Sequence, residues 1–143
     1  MERMSDGASG SVDVERLRRL PLFGDLDHHD LSTIARHVRE ARADTGEVLF
    51  AEGTIPHELL VIEEGTAEVT REGRPLGSIG PGDVVGEIGL LQLQRRTATV
   101  RATSPLRAVA VAAEDLAVIE SEMPEIASQL REIMRSRVAE PSG

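Results

Sequence analysis

The sequence has no cysteine and no lysine among its 143 residues. Without cysteine, disulfides, thiolate metal sites and cysteine nucleophiles are excluded. Without lysine, the Gly-Lys-Ser/Thr loop that cradles nucleotide phosphates in many hydrolases is excluded as well. The sequence also lacks any apolar run of membrane-spanning length, so we expect no transmembrane helix.

Acidic residues outnumber basic ones, so the formal net charge is −9, and all sixteen basic residues are arginine. This balance repels nucleic-acid phosphates and anionic lipids, so neither nucleic acid nor a membrane is an expected partner. A DNA-binding role would need a concentrated basic face, and the sequence does not contain one.

The length of the chain allows one domain with its own core. Residues 1–11 are polar, rich in glycine and serine, and without an apolar signal core. They predict a disordered tail on a cytoplasmic protein. We assign the domain to residues 12–140 and a short second tail to residues 141–143.

Apolar residues at helical spacing mark two helices near the start of the domain. The first is predicted from Val12 to Leu22, and Pro21 stops it. The second is capped by Asp27 or Asp30. Its buried face is predicted to consist of Leu31, Ile34, Ala35 and Val38.

From Glu47 the pattern changes to short β-rich runs separated by glycine and proline. Their spacing predicts a mainly β fold with flanking helices, namely an antiparallel jelly roll or double-stranded β-helix. Glu72-Gly73 is the predicted tip of a hairpin. The predicted strands are 48–51, 59–62, 67–71, 76–79, 97–102 and 106–111.

Two further helices are predicted after the strands, one from Ala113 through Ile119 and one from Pro124 to about Glu140. The last helix carries a short seam with the spacing of a coiled coil. Packing of this helix on its own roll and homodimerisation both remain open. The seam residues are Ile126, Leu130, Ile133 and Arg137.

Enzyme templates find little support in this sequence. Metal-dependent cupin enzymes share the jelly roll, but they need histidines clustered within the strands, and these strands contain none. A serine elbow is also absent. Glu63 and Glu64 precede a predicted turn, where a solvated acidic tip is favoured over acid–base chemistry. We therefore expect no enzyme activity, no cofactor and no metal.

A glycine-rich segment between the predicted strands has the pattern of an anion pocket, with a short helix at its centre. Gly86 and Gly89 let the backbone approach a ligand closely, and a helix start there offers N–H donors. Arg96 follows far enough along the chain for its guanidinium to grip two phosphate oxygens. Glu87 would repel an anion, so we expect it to accept a hydrogen bond from a sugar hydroxyl. These features together indicate a sugar phosphate.

The run Gly86-Glu87-Ile88-Gly89-Leu90, followed by Arg96-Thr97-Ala98-Thr99-Val100, resembles the phosphate-binding cassette of the cyclic nucleotide-binding domain family. The likeness extends over residues 17–138. It implies that Glu87 binds the ribose 2′-hydroxyl. Val85 replaces a frequent aromatic residue and Arg95 a frequent proline, and neither change removes a ligand contact. The implied phosphate site consists of Gly86, Ile88, Gly89, Arg96 and Thr97.

The resemblance also implies a wall for the base and a lid over the ligand. We assign the base wall to Val69, Leu76 and Thr97. Ile133 and Arg137 are the candidates for the lid.

The predicted function is a bacterial cyclic nucleotide sensor that reports occupancy through its C-terminal helix to a separate effector protein. Cyclic AMP is the expected ligand. Cyclic GMP is the alternative, because an apolar wall discriminates weakly and Thr97 could reach the guanine 2-amino group. A ligand-free structural or dimerisation module of the same fold is the second hypothesis, and a DNA-binding regulator is the third.

Overall fold

The structure is a computed structural model that describes residues 5–6, 12–86 and 95–137. The helices in these ranges are α1 (Val14–Arg18), α2 (His28–Ala35), α3 (Ala113–Glu122) and α4 (Pro124–Arg137). The strands are β1 (Ser5–Asp6), β2 (Arg39–Ala43), β3 (Val48–Phe50), β4 (Glu58–Glu64), β5 (Ala67–Arg71), β6 (Arg74–Ile79), β7 (Val84–Val85), β8 (Thr99–Ala102) and β9 (Leu106–Ala112).

Two antiparallel sheets face each other and form the predicted jelly roll with flanking helices. The first sheet has the strand order β1-β2-β9-β4-β7, and the second has the order β3-β8-β5-β6. Their inner faces enclose an apolar core, which we call the inner cluster. It includes Phe50, Leu60, Val69, Val100 and Ala108.

Strands β4, β7 and β9 of the first sheet are buried on both faces, unlike the second sheet. In β4 the side chains of Leu60 and Ile62 point into the inner cluster, while Leu59 and Val61 point outward. All four are at most 1% exposed, because helices cover the outer face. This explains the continuous apolar run in β4, whereas β5 alternates between buried and exposed positions.

The helices form a second apolar layer, the outer cluster, against the first sheet. It combines residues of α1, α2 and the segment between them with outward residues of β4, β7 and β9. Leu130 of α4 is part of this cluster, and Ile126 and Ile133 pack against it. The seam of the last helix therefore contacts its own domain.

Local signals behave as expected at several element ends. Asp27 caps α2 by accepting a hydrogen bond from the Asp30 backbone N–H at 2.9 Å. Glu72 and Gly73 have φ angles of 52° and 81° and connect the paired strands β5 and β6. Both positive angles match a two-residue hairpin turn, so the predicted hairpin tip is confirmed.

The prediction that α2 continues through Val38 is wrong. The helix ends at Ala35, and β2 pairs with β9 from Arg39 opposite Ala110 onward. The sequence Arg-Glu-Ala-Arg-Ala favours a helix locally, but pairing with a central strand overrides that preference.

The prediction of a fully disordered N-terminal tail also needs correction. Ser5 and Asp6 pair with Arg42 and Ala41 and form the edge strand β1. A further short strand, β7, occupies Val84–Val85, outside the predicted strands. The predicted strand that begins at Thr97 starts at Thr99 instead.

Glu63 is not the solvated acid that its position before a glycine suggests. Its side chain is 8% exposed, and its Oε1 lies 2.6 Å from Nη2 of Arg16 and 3.4 Å from Nε of Arg107. Arg16 also contacts Glu40, with 2.8 Å between Nη1 and Oε1. The network fastens α1 to the first sheet.

These contacts raise the pKa of Arg16 and lower that of Glu40, so both groups are stabilised in their charged forms. The pKa of Arg16 is raised, chiefly by its hydrogen bonds to Glu63. Hydrogen bonds from Arg42 and then Arg16 lower the pKa of Glu40 below its ordinary value, against the opposing effect of burial. The ionised form of Glu40 is therefore favoured by folding.

We predict that Arg16→Met lowers the free energy of unfolding by about 1–3 kcal/mol at neutral pH, because two largely buried carboxylates lose a donor. Because the folded-state pKa of Glu40 is depressed, its contribution is full above the unfolded-state value and is lost as pH falls through the folded-state value. The difference from wild type should therefore shrink below about pH 4.5, the ordinary value for glutamate. Urea titrations at several pH values measure it.

Arg18→Met is the matched control, since Arg18 lies on the same helix and its contact to Glu15 is an exposed pair at 3.7 Å. Equal losses for the two variants would contradict the structural role of the network.

Candidate functional site

Arg96, the predicted phosphate anchor, is one of the most buried charged residues in the described chain, with 4% exposure. Its backbone is held by the loop that follows β3. The Arg96 N–H donates to the Thr54 carbonyl at 2.9 Å, and the Gly53 N–H donates to the Arg96 carbonyl at 2.8 Å. These bonds fix where the side chain enters the roll.

Within the described residues, the guanidinium of Arg96 contacts two carbonyls and one aromatic ring. Nη1 donates to the Gly86 carbonyl at 2.7 Å, and Nη2 donates to the Glu58 carbonyl at 2.5 Å. Its Cζ lies 3.8 Å from the centre of the Phe50 ring. One side chain thereby joins the ends of β3 and β7 to the start of β4.

The guanidinium of Arg96 forms no ion pair with a carboxylate within residues 12–86 and 95–137. Burial lowers its pKa to about 10, and the charge of Glu58 offsets part of this effect. Glu58 itself pairs with Arg39, with 2.5 Å between Nη2 and Oε1. Arg96 is therefore a cation at neutral pH, in a setting where an anion would relieve the cost of burial.

Gly86 is required at its position for two reasons. Its φ of 85° lies in the left-handed region that favours glycine. A Cβ atom there would be 2.6 Å from Nη1 of Arg96 and 2.7 Å from Cε2 of Phe50. The sequence predicts close approach of this glycine to a ligand, and the structure adds its close approach to Arg96 and Phe50.

The residues assigned to the base wall lie on the second sheet or next to it. Val69 is buried in the inner cluster, and Leu76 is half-buried and packs against the same cluster. Thr97 is exposed, and its carbonyl accepts a hydrogen bond from Nε of Arg71 at 2.9 Å. The structure thus places Val69 and Leu76 in one cluster with Phe50, and it leaves Thr97 at the surface.

Several predicted site residues lie outside what the structure describes. Glu87, Ile88 and Gly89, with the short cassette helix, fall in the gap between residues 86 and 95. Arg137 is described only as the last helical position of α4. Ile133, the other lid candidate, packs against the outer cluster. The roles of these residues stay predictions.

Sequence reasoning missed two partners of Arg96, namely Phe50 and the Glu58 carbonyl. Phe50 falls in a predicted strand, and alternation along that strand could have marked it as a core residue. Nothing in the spacing indicates that its ring faces an arginine from a distant segment.

The described residues contain neither a metal-binding cluster nor a membrane-spanning helix. Within them, no group of three or more histidine, aspartate or glutamate side chains is arranged to hold a metal ion. No helix in these ranges is both long and apolar enough to cross a bilayer.

The chain also matches known proteins in sequence and in fold. The sequence model of the cyclic nucleotide-binding domain matches residues 40–121, more than half of the chain. The chain belongs to this family. Cyclic nucleotide-binding domains are regulatory modules, and the match includes nearly all of β2 through α3 together with Gly86 and Arg96.

Relatives with different outputs contain similar domains. The cAMP-dependent protein kinase regulatory subunit of Yarrowia lipolytica is 31% identical over 68% of this chain and 28% of its own length. A cyclic nucleotide-gated potassium channel of Rhizobium etli is 30% identical over 85% of this chain and 34% of its own length. The chain therefore spans about a third of the length of these curated relatives.

Solved structures share the cyclic nucleotide-binding fold. A cAMP-binding acyltransferase from Mycobacterium smegmatis superposes with a TM-score of 0.71 at 29% identity. The match covers 89% of this chain and 41% of that one.

We predict that Gly86→Ala destabilises the domain by about 1–3 kcal/mol, because the new methyl group combines a strained φ with overpacking against Arg96 and Phe50. Thermal unfolding without ligand measures the loss. Gly73→Ala is the control, since Gly73 also has a positive φ, but a methyl group there would meet open space. A loss no larger than that of the control would show that the packing around Gly86 is loose.

Proposed function

We propose that this domain is a sensor of a cyclic purine nucleotide, in which Arg96 binds the cyclic phosphate. The observation that carries the proposal is the buried guanidinium of Arg96, which contacts two carbonyls and a ring but no carboxylate in the described chain. A phosphate would supply the missing negative charge in a site of low polarity.

The guanidinium retains donors for such a ligand. A guanidinium has five N–H groups, and its bonds to Gly86 and Glu58 engage two of them. Further donors are expected from the backbone of Ile88 and Gly89, shortly after the left-handed turn at Gly86. In this proposal the Glu87 carboxylate accepts the ribose 2′-hydroxyl, Arg96 binds the phosphate, and the Thr97 hydroxyl contacts the base.

We infer cyclic AMP as the ligand. Two similar proteins, the Yarrowia lipolytica kinase subunit and the Mycobacterium smegmatis acyltransferase, are named for cyclic AMP. Val69 and Leu76 offer apolar surface to a purine without distinguishing its polar edge. Cyclic GMP is the second candidate, because the exposed Thr97 could contact the guanine 2-amino group.

We infer that the C-terminal helix α4 reports occupancy to an effector protein. Its seam packs on the outer cluster of its own domain, which supports intramolecular packing over homodimerisation as its resting arrangement. A small apolar cavity lies at the same junction and leaves room for the helices to shift. It is lined by residues of the segment between α1 and α2, of α2, α3 and α4, and of the first sheet, among them Phe23, Leu116, Ile119 and Leu130.

The competing hypothesis is a ligand-free structural module of the same fold. A buried arginine retained only for structure would be expected to pair with a carboxylate, since an uncompensated buried charge is costly. The contacts of Arg96 favour the binding role.

We predict that Arg96→Ala weakens binding of cyclic AMP by about 3–5 kcal/mol, the cost of leaving a buried charge without its partner. Calorimetric titration of each variant measures the affinity, and circular dichroism verifies that it is folded. Arg96→Lys keeps the positive charge but loses the planar guanidinium that can bind two phosphate oxygens at once, so its affinity should be intermediate.

The neighbouring Arg95 provides the matched control, because it is exposed and its Nη1 donates to the Gly53 carbonyl at 2.8 Å. Arg95→Ala should bind nearly as wild type does. If folded Arg96→Ala binds with wild-type affinity, the phosphate site is elsewhere.

We predict that Thr97→Ala reduces the stabilisation by cyclic GMP and leaves that by cyclic AMP nearly unchanged. One hydrogen bond contributes about 1 kcal/mol, so the loss of affinity should be less than about tenfold. Shifts in melting temperature at high nucleotide concentration measure the effect. Thr70→Ala, on the outer face of β5, serves as control. Equal effects on both nucleotides would remove Thr97 from base recognition.

A further inference from the structure

Phe50 lies at the end of β3 and contacts both Arg96 and Gly86 of the proposed phosphate site. Its side chain is 8% exposed and belongs to the inner cluster. The ring centre is 3.8 Å from Cζ of Arg96, and the ring edge is so near Gly86 that a Cβ there would lie 2.7 Å from Cε2 and 2.9 Å from Cζ.

The ring and the two carbonyls restrain the guanidinium in different directions. The carbonyls of Gly86 and Glu58 accept from the N–H groups of Arg96 and fix their directions. The aromatic ring lies against the guanidinium carbon and attracts the cation through its negative face. A cation on a ring is attracted more strongly in a buried site, where water does not compete.

The same stretch of chain also holds the backbone of Arg96. Gly53 and Thr54, three and four residues after Phe50, exchange hydrogen bonds with Arg96 at 2.8 and 2.9 Å. The segment from Phe50 to Thr54 therefore positions both the backbone and the charged end of Arg96.

We propose that Phe50 is the positioning residue for the phosphate anchor: its ring face holds the Arg96 guanidinium in the buried anion site, and its ring edge packs on Gly86. This inference rests on the proposed nucleotide-binding function. If the ring attracts the cation less strongly, the guanidinium occupies its binding-competent position for a smaller fraction of the time. The apparent affinity for the nucleotide then falls in proportion to that fraction.

An ordinary core phenylalanine would depend on ring size and not on ring charge distribution. Fluorination separates these two roles, because it withdraws electron density from the ring face while changing its shape little. The chain suits this test, since it contains only two phenylalanines, Phe23 and Phe50. Phe23 is 2% exposed in the outer cluster and is the matched control.

The experiment introduces mono-, di-, tri- and pentafluorophenylalanine separately at position 50 and at position 23 of the full chain. Calorimetry with cyclic AMP and with cyclic GMP gives the affinities, and thermal unfolding gives the stability of each protein. At position 50 we expect affinity to fall stepwise with fluorination, reaching about tenfold or more for the pentafluoro ring. At position 23 we expect no trend in affinity.

A second pair of variants tests the same point with natural residues. Phe50→Leu keeps an apolar side chain but removes the ring face, so it should bind about tenfold more weakly than wild type. Phe23→Leu should lose stability without a comparable loss of affinity.

The outcomes distinguish this inference from the function on which it rests. Wild-type binding together with a flat affinity series at position 50 would overturn the role of Phe50 and leave the nucleotide site intact. An equal trend at both positions would also overturn it, since the effect would then be one of general packing. Failure of wild type to bind either nucleotide would overturn both proposals.

Discussion

The buried guanidinium of Arg96 is the interaction on which the geometry of the site depends. It donates hydrogen bonds to the ends of two strands of the first sheet and stacks on a ring from the second. A cation in this position is costly unless its neighbours are accurately placed. The left-handed Gly86, the Glu58 carbonyl and the Phe50 ring are those neighbours.

Strands β4, β7 and β9 of the first sheet connect the site to the helices because both of their faces are buried. In β7, Val85 faces the inner cluster just before Gly86, while Val84 faces the outer cluster that receives α4. The strand β4 is divided in the same way, and it begins at Glu58, whose carbonyl binds Arg96. A displacement at the proposed anion site would therefore act on strands whose other face packs against the helices. Closely packed interiors are hard to compress, so a strand that moves on one face displaces the side chains packed on its other face.

Agreement between sequence and structure is best where the signal is local. The hairpin at Glu72-Gly73 and the cap at Asp27 follow from the chemistry of a few adjacent residues. Disagreement occurs where partners are distant. The segment 39–43 has helix-forming residues but lies beside β9, and Glu63 precedes a turn but is covered by Arg16 and Arg107.

The sequence by itself determined the family of the domain, the jelly roll, and the choice of Gly86 and Arg96 as candidate site residues, because glycine tolerance and charge are properties of single positions in a short pattern. Only the tertiary structure decided what surrounds Arg96. Its partners Gly86 and Glu58 are 10 and 38 positions away, and Phe50 comes from yet another strand. Such contacts depend on how the two sheets pack face to face, and local sequence periodicity does not predict that packing.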